Sequence, residues 1–236
     1  MQPAADLAHG RKIADVAGCI SCHGPALDGH LFEEDPAFAL AWSSNLSRLL
    51  PKLTDNAIEQ ILRTGRRPDG TALWFMPTFA HRQMSTEEMR DLIAFLRTAP
   101  VTGKDHPRMT RGPQFAAAIA AGMSDSAAQA ERLAPRAPPD LGPALENGRH
   151  LARLACSECH GPELKGPQHT GPGAPPDLAA VAAYTPAQFT RLIHEGLGRD
   201  GKPAGGMGEA FARERLFSLT PAEISSIYGY LRARAG

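Results

Sequence analysis

The chain has 236 residues, of which 42% are hydrophobic and only 6% aromatic, and its 25 Lys and Arg residues balance 25 Asp and Glu residues. This length suits one large domain or two small ones, and the thin apolar content favours small domains that a metal or cofactor stabilises. No segment is strongly basic, so the composition argues against a nucleic-acid-binding protein.

The start of the chain and its apolar stretches bear on export and on membrane insertion. The N-terminal sequence MQPAADLAHG lacks the charged and apolar regions of a secretory signal, so an exported protein is expected to be a mature form with an added Met1. The longest apolar stretch, FAAAIAAGM at 115–123, is too short to span a membrane. We therefore expect no membrane anchor within these residues.

The predicted elements occur in the same order in both halves. The stretch HGRKIADVAGCISCHGPALDG (9–29) matches NGRHLARLACSECHGPELKG (147–166), and residues 44–70 match residues 176–201. Each half is predicted to contain a helix, a Cys-Xaa-Xaa-Cys-His motif, a long loop, a second helix, a loop with a methionine and a last helix. No strand-length alternation of apolar and polar residues is visible.

This repeat predicts an all-α fold with two tandem domains. The first is expected at 1–100 and the second at 141–236, with a Pro- and Ala-rich connector at 101–140. A short helix is predicted within the connector at 114–123.

Local signals mark where the predicted helices begin, end and cross. Glycines suit the ends of the middle helices and the places where the first and last helix of each half cross. The predicted helix ends are Gly65 and Gly196, and the predicted crossings are Gly10 with Phe95 and Gly148 with Tyr230. The predicted capping boxes are Ser85 with Glu88, Thr185 with Gln188 and Thr220 with Glu223, and Thr54 is a simpler cap.

Every cysteine of the chain lies in one of two motifs in which a histidine follows directly. The residues are Cys19, Cys22 and His23 in the first half, and Cys156, Cys159 and His160 in the second. A zinc site usually takes four ligands from two such pairs about 15–20 residues apart, and a thiol-redox motif usually lies in a βαβ unit. Two thiols can instead bond the two vinyl groups of one haem while the histidine binds its iron. The motifs therefore predict two covalently attached c-type haems.

A proline follows each motif, as Pro25 and Pro162. A carbonyl group two residues beyond the motif histidine is well placed to accept a hydrogen bond from its Nδ1–H and to fix the ring. A simple turn at His-Gly-Pro is the other interpretation of these prolines, and the sequence does not decide between the two.

Several stretches outside the two motifs have a family character. They are SSNLS (43–47), ILRTGRRPDG (61–70), LWFMPTF (73–79) and MSTEEMRDLIAFLR (84–97), and then PPDL (175–178), IHEGLGRDGKP (193–203) and IYGYLR (227–232). With these stretches and the two motifs, both halves resemble class I cytochromes c, and within that group the chain is similar to the dihaem cytochrome subunits of periplasmic alcohol, aldehyde and gluconate dehydrogenases. Those subunits often have a third haem domain and a membrane tail. Because this sequence shows two haem motifs and no such tail, quinone chemistry is not expected of this chain on the strength of the resemblance.

The resemblance also implies distal iron ligands. The family pattern has its distal methionine at the position of Met76, which precedes a proline, and Met84 remains the close alternative. Met207 is the only methionine available in the second half, in the matching loop. The predicted iron ligands are therefore His23 with Met76, and His160 with Met207.

This ligand set predicts an electron carrier. An iron with protein ligands on both faces has no vacant position for oxygen or peroxide, and methionine raises its reduction potential. The expected donor is a periplasmic dehydrogenase and the expected acceptor a cytochrome or terminal oxidase, with the protein acting as a free carrier or as a bound subunit. Because covalent haem attachment is made outside the bacterial cytoplasm, the expected location is the periplasm.

An enzyme is the alternative interpretation. A dihaem peroxidase has one haem whose distal ligand is displaceable, and the choice between Met76 and Met84 leaves room for such a haem. No catalytic residue is predicted for the electron carrier.

Overall fold

The computed structural model describes residues 4–166, 174–205 and 207–236, with only the backbone at Met207. Two compact units are formed, one by Met1–Thr78 with Met84–Glu131 and the other by Phe79–Gln83 with Arg132–Gly236. Helices are the main elements of both units, which confirms the predicted all-α class.

Eight α-helices lie between residues 7 and 133, all within the described part of the chain. They are α1 (Leu7–Val16), α2 (Cys19–His23), α3 (Leu46–Leu49), α4 (Asp55–Thr64), α5 (Thr78–His81), α6 (Thr86–Leu96), α7 (Pro113–Ala120) and α8 (Ser126–Leu133), with a 3₁₀ turn at Leu50–Lys52.

The remaining helices belong to the second half. They are α9 (Glu146–His160), α10 (Pro186–Glu195), α11 (Met207–Glu214) and α12 (Pro221–Arg234), with 3₁₀ turns at Pro143–Leu145, Leu178–Ala183 and Leu216–Ser218.

The predicted helix boundaries are confirmed by the caps. Both hydrogen bonds of the capping box are present at the starts of α6, α10 and α12. The Thr54 side chain accepts from the backbone N–H of Ala57 at the start of α4. Gly65 and Gly196 end α4 and α10 in the left-handed conformation, with φ of 69° and 71°.

The first and last helices of each half cross at the predicted glycines. A Cβ atom on Gly10 of α1 would overlap the carbonyl oxygen of Asp91 and lie 2.9 Å from the Cβ of Phe95 on α6. Gly148 of α9 meets Ser226 and Tyr230 of α12 in the same way. The two crossings are thus equivalent, and the absence of a side chain lets the backbones meet.

A small sheet corrects the expectation of a strand-free chain. Strands β1 (Leu31–Glu33), β2 (Ala39–Trp42) and β3 (Thr110–Arg111) pair antiparallel in the order β1-β2-β3. Strands of two to four residues are too short for an alternating pattern to be visible in the sequence.

The residues after α6 pack on the first unit. Strand β3 pairs with β2, and α7 follows it where the sequence predicts a helix. Phe115 of α7 is only 1% exposed and its ring lies 5.3 Å from that of Phe38 and 4.9 Å from that of Trp74. Residues 101–120 are therefore held to the first unit by backbone pairing and by a buried aromatic side chain.

Candidate haem sites

The first motif occupies a short helix of its own. Helix α2 contains Cys19, Cys22 and His23, and the spacing of three and four residues puts their side chains on one helix face. The helix lies between Gly18 and Gly24, whose φ values are 78° and 83°. None of the four cysteines of the chain, all of which the structure describes, forms a disulfide.

A backbone carbonyl group fixes the orientation of the His23 ring. Its Nδ1 atom lies 2.8 Å from the carbonyl oxygen of Ser44. A carbonyl oxygen only accepts hydrogen bonds, so Nδ1 carries the proton and Nε2 is the nitrogen with a lone pair for a metal.

The second motif has the same arrangement at the end of a longer helix. Cys156, Cys159 and His160 form the last turn of α9, which ends at Gly161 with φ of 74°. The Nδ1 atom of His160 donates to the carbonyl oxygen of Pro176 over 2.7 Å. Nε2 is again the nitrogen that remains for a metal.

The acceptors of these two hydrogen bonds differ from the expected ones. The expectation of a carbonyl two residues beyond each histidine, at Pro25 and Pro162, is wrong, because Ser44 and Pro176 supply the acceptors from loops 21 and 16 residues away. Ser44 and Pro176 occupy equivalent positions of the repeat, in SSNL and PPDL. This correspondence is the signal by which the sequence could have revealed them.

Pro25 and Pro162 lie in tight turns, which confirms the second interpretation of these prolines, a simple turn at His-Gly-Pro. The N–H of Leu27 donates to the carbonyl of Gly24, and Leu164 donates to Gly161 in the same way. Proline at the second position of such a four-residue turn suits its fixed φ. Both leucines are buried with positive φ, 55° and 60°, so the two turns share even their strained residue.

The electrostatics of the second motif argue against thiol-redox chemistry. Burial raises the pKa of Cys156 to about 12, and burial likewise raises the pKa of Cys159. A redox-active pair requires at least one thiol with a lowered pKa. Burial also lowers the pKa of His160, only partly offset by its hydrogen bond to Pro176, so the ring stays neutral, as a metal ligand must be.

A zinc site is equally unsupported. Within residues 4–166, 174–205 and 207–236, no three His, Cys, Asp or Glu side chains come together in a group that could hold a metal ion. The donor set of each motif is instead two thiols and one oriented imidazole on a single helix face, which fits a haem bound through two thioether bonds and one iron ligand.

The methionines proposed as distal ligands lie in corresponding parts of the two halves. Met76 lies in the loop between α4 and α5, is partly exposed, and follows Phe75, whose φ is 66°. Met84 is 3% exposed, next to the cap of α6. Met207 begins helix α11, where a loop was expected, and its side chain lies outside the described atoms.

Comparison with known proteins agrees with this geometry. A family model described as Cytochrome c matches residues 7–100 and again residues 145–235. No curated protein matches the chain. Each of the matched ranges contains one of the two motifs and its histidine.

Proposed function

Because the chain belongs to the cytochrome c family, with two family domains and hence two covalently attached c-type haems, we propose that it relays electrons from a periplasmic dehydrogenase to a cytochrome or terminal oxidase. Each haem supplies reversible one-electron chemistry at its iron. The haem ligands proposed are His23 and Met76 in the first domain, and His160 and Met207 in the second.

The observation that carries this proposal is the identical fixing of both motif histidines. In each domain, a backbone carbonyl from a distant loop accepts the Nδ1 proton at 2.7–2.8 Å. Such a bond holds the ring at one angle and keeps it a strong donor in both oxidation states of the iron. A ligand that does not move between oxidation states suits a protein that only passes electrons on.

Donor, acceptor and location are inferred from chemistry and from the resemblance. Thioether attachment of haem takes place outside the bacterial cytoplasm, which supports the periplasm. No helix of the described ranges has the length and apolar character needed to cross a membrane. The resemblance to cytochrome subunits of alcohol, aldehyde and gluconate dehydrogenases supports an enzyme of that kind as the donor.

The ligand set is tested by the spectrum of the purified holoprotein. We expect sharp low-spin c-type α-bands after reduction, a weak near-infrared band of Met-ligated haem after oxidation, and two electrons taken up per chain. We also expect no carbon monoxide binding to the reduced protein. Carbon monoxide binding at one haem, together with steady turnover of hydrogen peroxide, would instead establish the peroxidase alternative.

The donor is tested by mixing the oxidised protein with catalytic subunits of the three dehydrogenase classes and their substrates. We expect one of them to reduce both haems at a rate that depends on enzyme concentration. The matched control is the same mixture without substrate. If none of the three classes reduces the protein, the proposed donor is wrong, while the electron-transfer function itself stands on the spectrum.

A further inference from the structure

Residues 102–106, which follow the last helix of the first cytochrome domain, lie on the loop that presents the Ser44 carbonyl to His23. We call these residues the strap. Asn45 is the neighbour of Ser44, and its Nδ2 atom donates hydrogen bonds to the carbonyl oxygens of Thr102 at 2.8 Å and Lys104 at 3.1 Å.

The Asn45 side chain uses its amide oxygen as well. Its Oδ1 atom accepts from the backbone N–H of Arg48 at 3.1 Å, which caps α3, and from the Ser47 hydroxyl at 2.7 Å. Ser47 in turn accepts from the backbone N–H of Thr102 at 3.1 Å. Asn45 and Ser47 are 4% and 2% exposed, so this network is shielded from water and holds the loop to the strap.

The strap also holds the chain on the other side of the haem motif. The Nε2 atom of His106 donates to the carbonyl oxygen of Asp28 at 2.8 Å, and its ring stacks on Trp42 at 4.5 Å. The next residue, Gly29, donates its N–H to the carbonyl oxygen of His23. The strap is therefore bonded both to the turn that follows His23 and to the loop that accepts its proton.

The second domain holds its equivalent loop in a different way. Asp177 occupies the position of Asn45, and its carboxylate pairs with Arg234 of helix α12. Arg234 also donates to the carbonyl oxygens of Glu163 and Leu164, in the turn after the second motif. One arginine of the last helix thus makes both kinds of contact that the strap makes in the first domain.

We infer that Asn45 and the strap are positioning elements for His23, which set the strength of its hydrogen bond to Ser44. A stronger bond from Nδ1–H makes the imidazole a better electron donor to iron, which favours the oxidised state and lowers the reduction potential. The strap therefore lowers the potential of the first haem. This inference rests on the proposed binding of haem iron by His23.

The substitution Asn45→Ser tests this role. Serine keeps an oxygen that can cap α3, lacks the amide donors to Thr102 and Lys104, and adds no charge that would itself shift the haem potential. In a redox titration of the holoprotein, we expect one of the two haem components to rise. The expected change is up to tenfold in its reduction equilibrium constant, about 59 mV for one electron. The His23 Nδ1 proton should also exchange faster with solvent in the reduced protein.

Two further variants serve as controls for this redox titration. Asp177→Asn, at the equivalent position of the second domain, should move the other redox component and so assign both. Asp105→Asn lies in the strap itself but removes only exposed ion pairs, with Arg48 at 3.0 Å and with Lys52 at 3.8 Å, and should move neither component. If Asn45→Ser does not fold, Asn45→Thr keeps a capping oxygen without the amide donors and gives the same comparison.

The outcomes separate this inference from the proposed function. Unchanged potentials and unchanged proton exchange in a fully haem-loaded Asn45→Ser protein would overturn the positioning role, even if the variant unfolds more easily. A wild-type mass without two haems would instead overturn the proposed function. Exchange of the His23 Nδ1 proton would still report whether the strap holds the loop.

Discussion

Gly10 and Asp91 meet with no room for a side chain between them, and Gly148 and Ser226 do the same in the second half. A Cβ atom at either glycine would overlap the facing backbone carbonyl oxygen. Because a carbonyl within a helix cannot turn aside, a larger residue must push the two helices apart. The crossing of α1 with α6, and of α9 with α12, therefore depends on these glycines.

Gly10→Ala and Gly148→Ala are each expected to destabilise the domain that contains them by about 1–3 kcal/mol or more, as overpacked cores do. Denaturant unfolding followed by circular dichroism measures the change. Gly229→Ala is the matched control, because Gly229 lies within α12 with nothing near its missing Cβ. Alanine there should stabilise the helix by up to about 1 kcal/mol. Equal effects of Gly148→Ala and Gly229→Ala would contradict the close crossing.

Asp91 gives the first domain a defined dependence on pH. Burial alone would raise the pKa of its carboxyl group, but hydrogen bonds from His9, Arg90 and the N–H of Asp6 outweigh burial and hold this pKa below the ordinary value of 3.8. A carboxyl group whose pKa is lower in the folded than in the unfolded chain stabilises the fold above the unfolded pKa. This contribution is lost as the pH falls below 3.8 toward the folded pKa.

Asp91→Asn is therefore expected to lower the free energy of unfolding by about 1–3 kcal/mol at neutral pH, since hydrogen bonds to a buried charge are lost. The difference from the wild type should be constant above about pH 5 and should shrink as the pH falls through 3.8 toward the folded pKa of Asp91. Taking the difference removes the contribution of Asp15, whose pKa burial raises. A difference that stays constant below about pH 5 as well would show that the Asp91 charge has no role.

Features with a purely local cause were predictable from the sequence. Helix caps such as Ser85 with Glu88 and helix ends such as Gly65 depend on neighbouring residues only, and the structure has them where expected. The crossing at Gly10 was predictable because the repeat has Gly148 at the equivalent position, so the same small residue occurs on the first helix of each half.

Features that depend on distant loops were not predictable in the same way. The acceptor for His23 is 21 residues away at Ser44, and the neighbouring Asn45 is hydrogen-bonded to residues a further 57 and 59 positions along the chain. Strand β3 pairs with β2 across about 70 residues of chain, and neither strand has a pattern of its own. Closing such long loops leaves no periodic signal in composition or spacing.

Arg234 is predicted to stabilise the second domain through the loop that carries Pro176. Its side chain is 4% exposed, pairs with Asp177, and donates to the carbonyl oxygens of Glu163 and Leu164. Arg234→Gln should lower the free energy of unfolding by about 1–3 kcal/mol, because partly buried carbonyl acceptors lose a charged donor. Arg232→Gln is the control on the same helix, since Arg232 is exposed and its guanidinium group lies over the ring of Tyr228. Similar losses in both variants would contradict this role.

The two candidate distal ligands of the first haem, Met76 and Met84, lead to different expected spectra when each is substituted. Met76 lies partly exposed in the loop before α5, whereas Met84 is buried beside the cap of α6, where its carbonyl accepts from Arg63 at 3.1 Å. Met76→Leu should remove about half of the near-infrared band, lower one reduction potential and allow one reduced haem per chain to bind carbon monoxide. Met84→Leu replaces one buried apolar side chain by another of similar volume and should cost less than about 1.5 kcal/mol, with the spectrum unchanged. If Met84→Leu removes about half of the band while Met76→Leu leaves it intact, Met84 is the ligand, and the loop before α5 has no part in holding the iron.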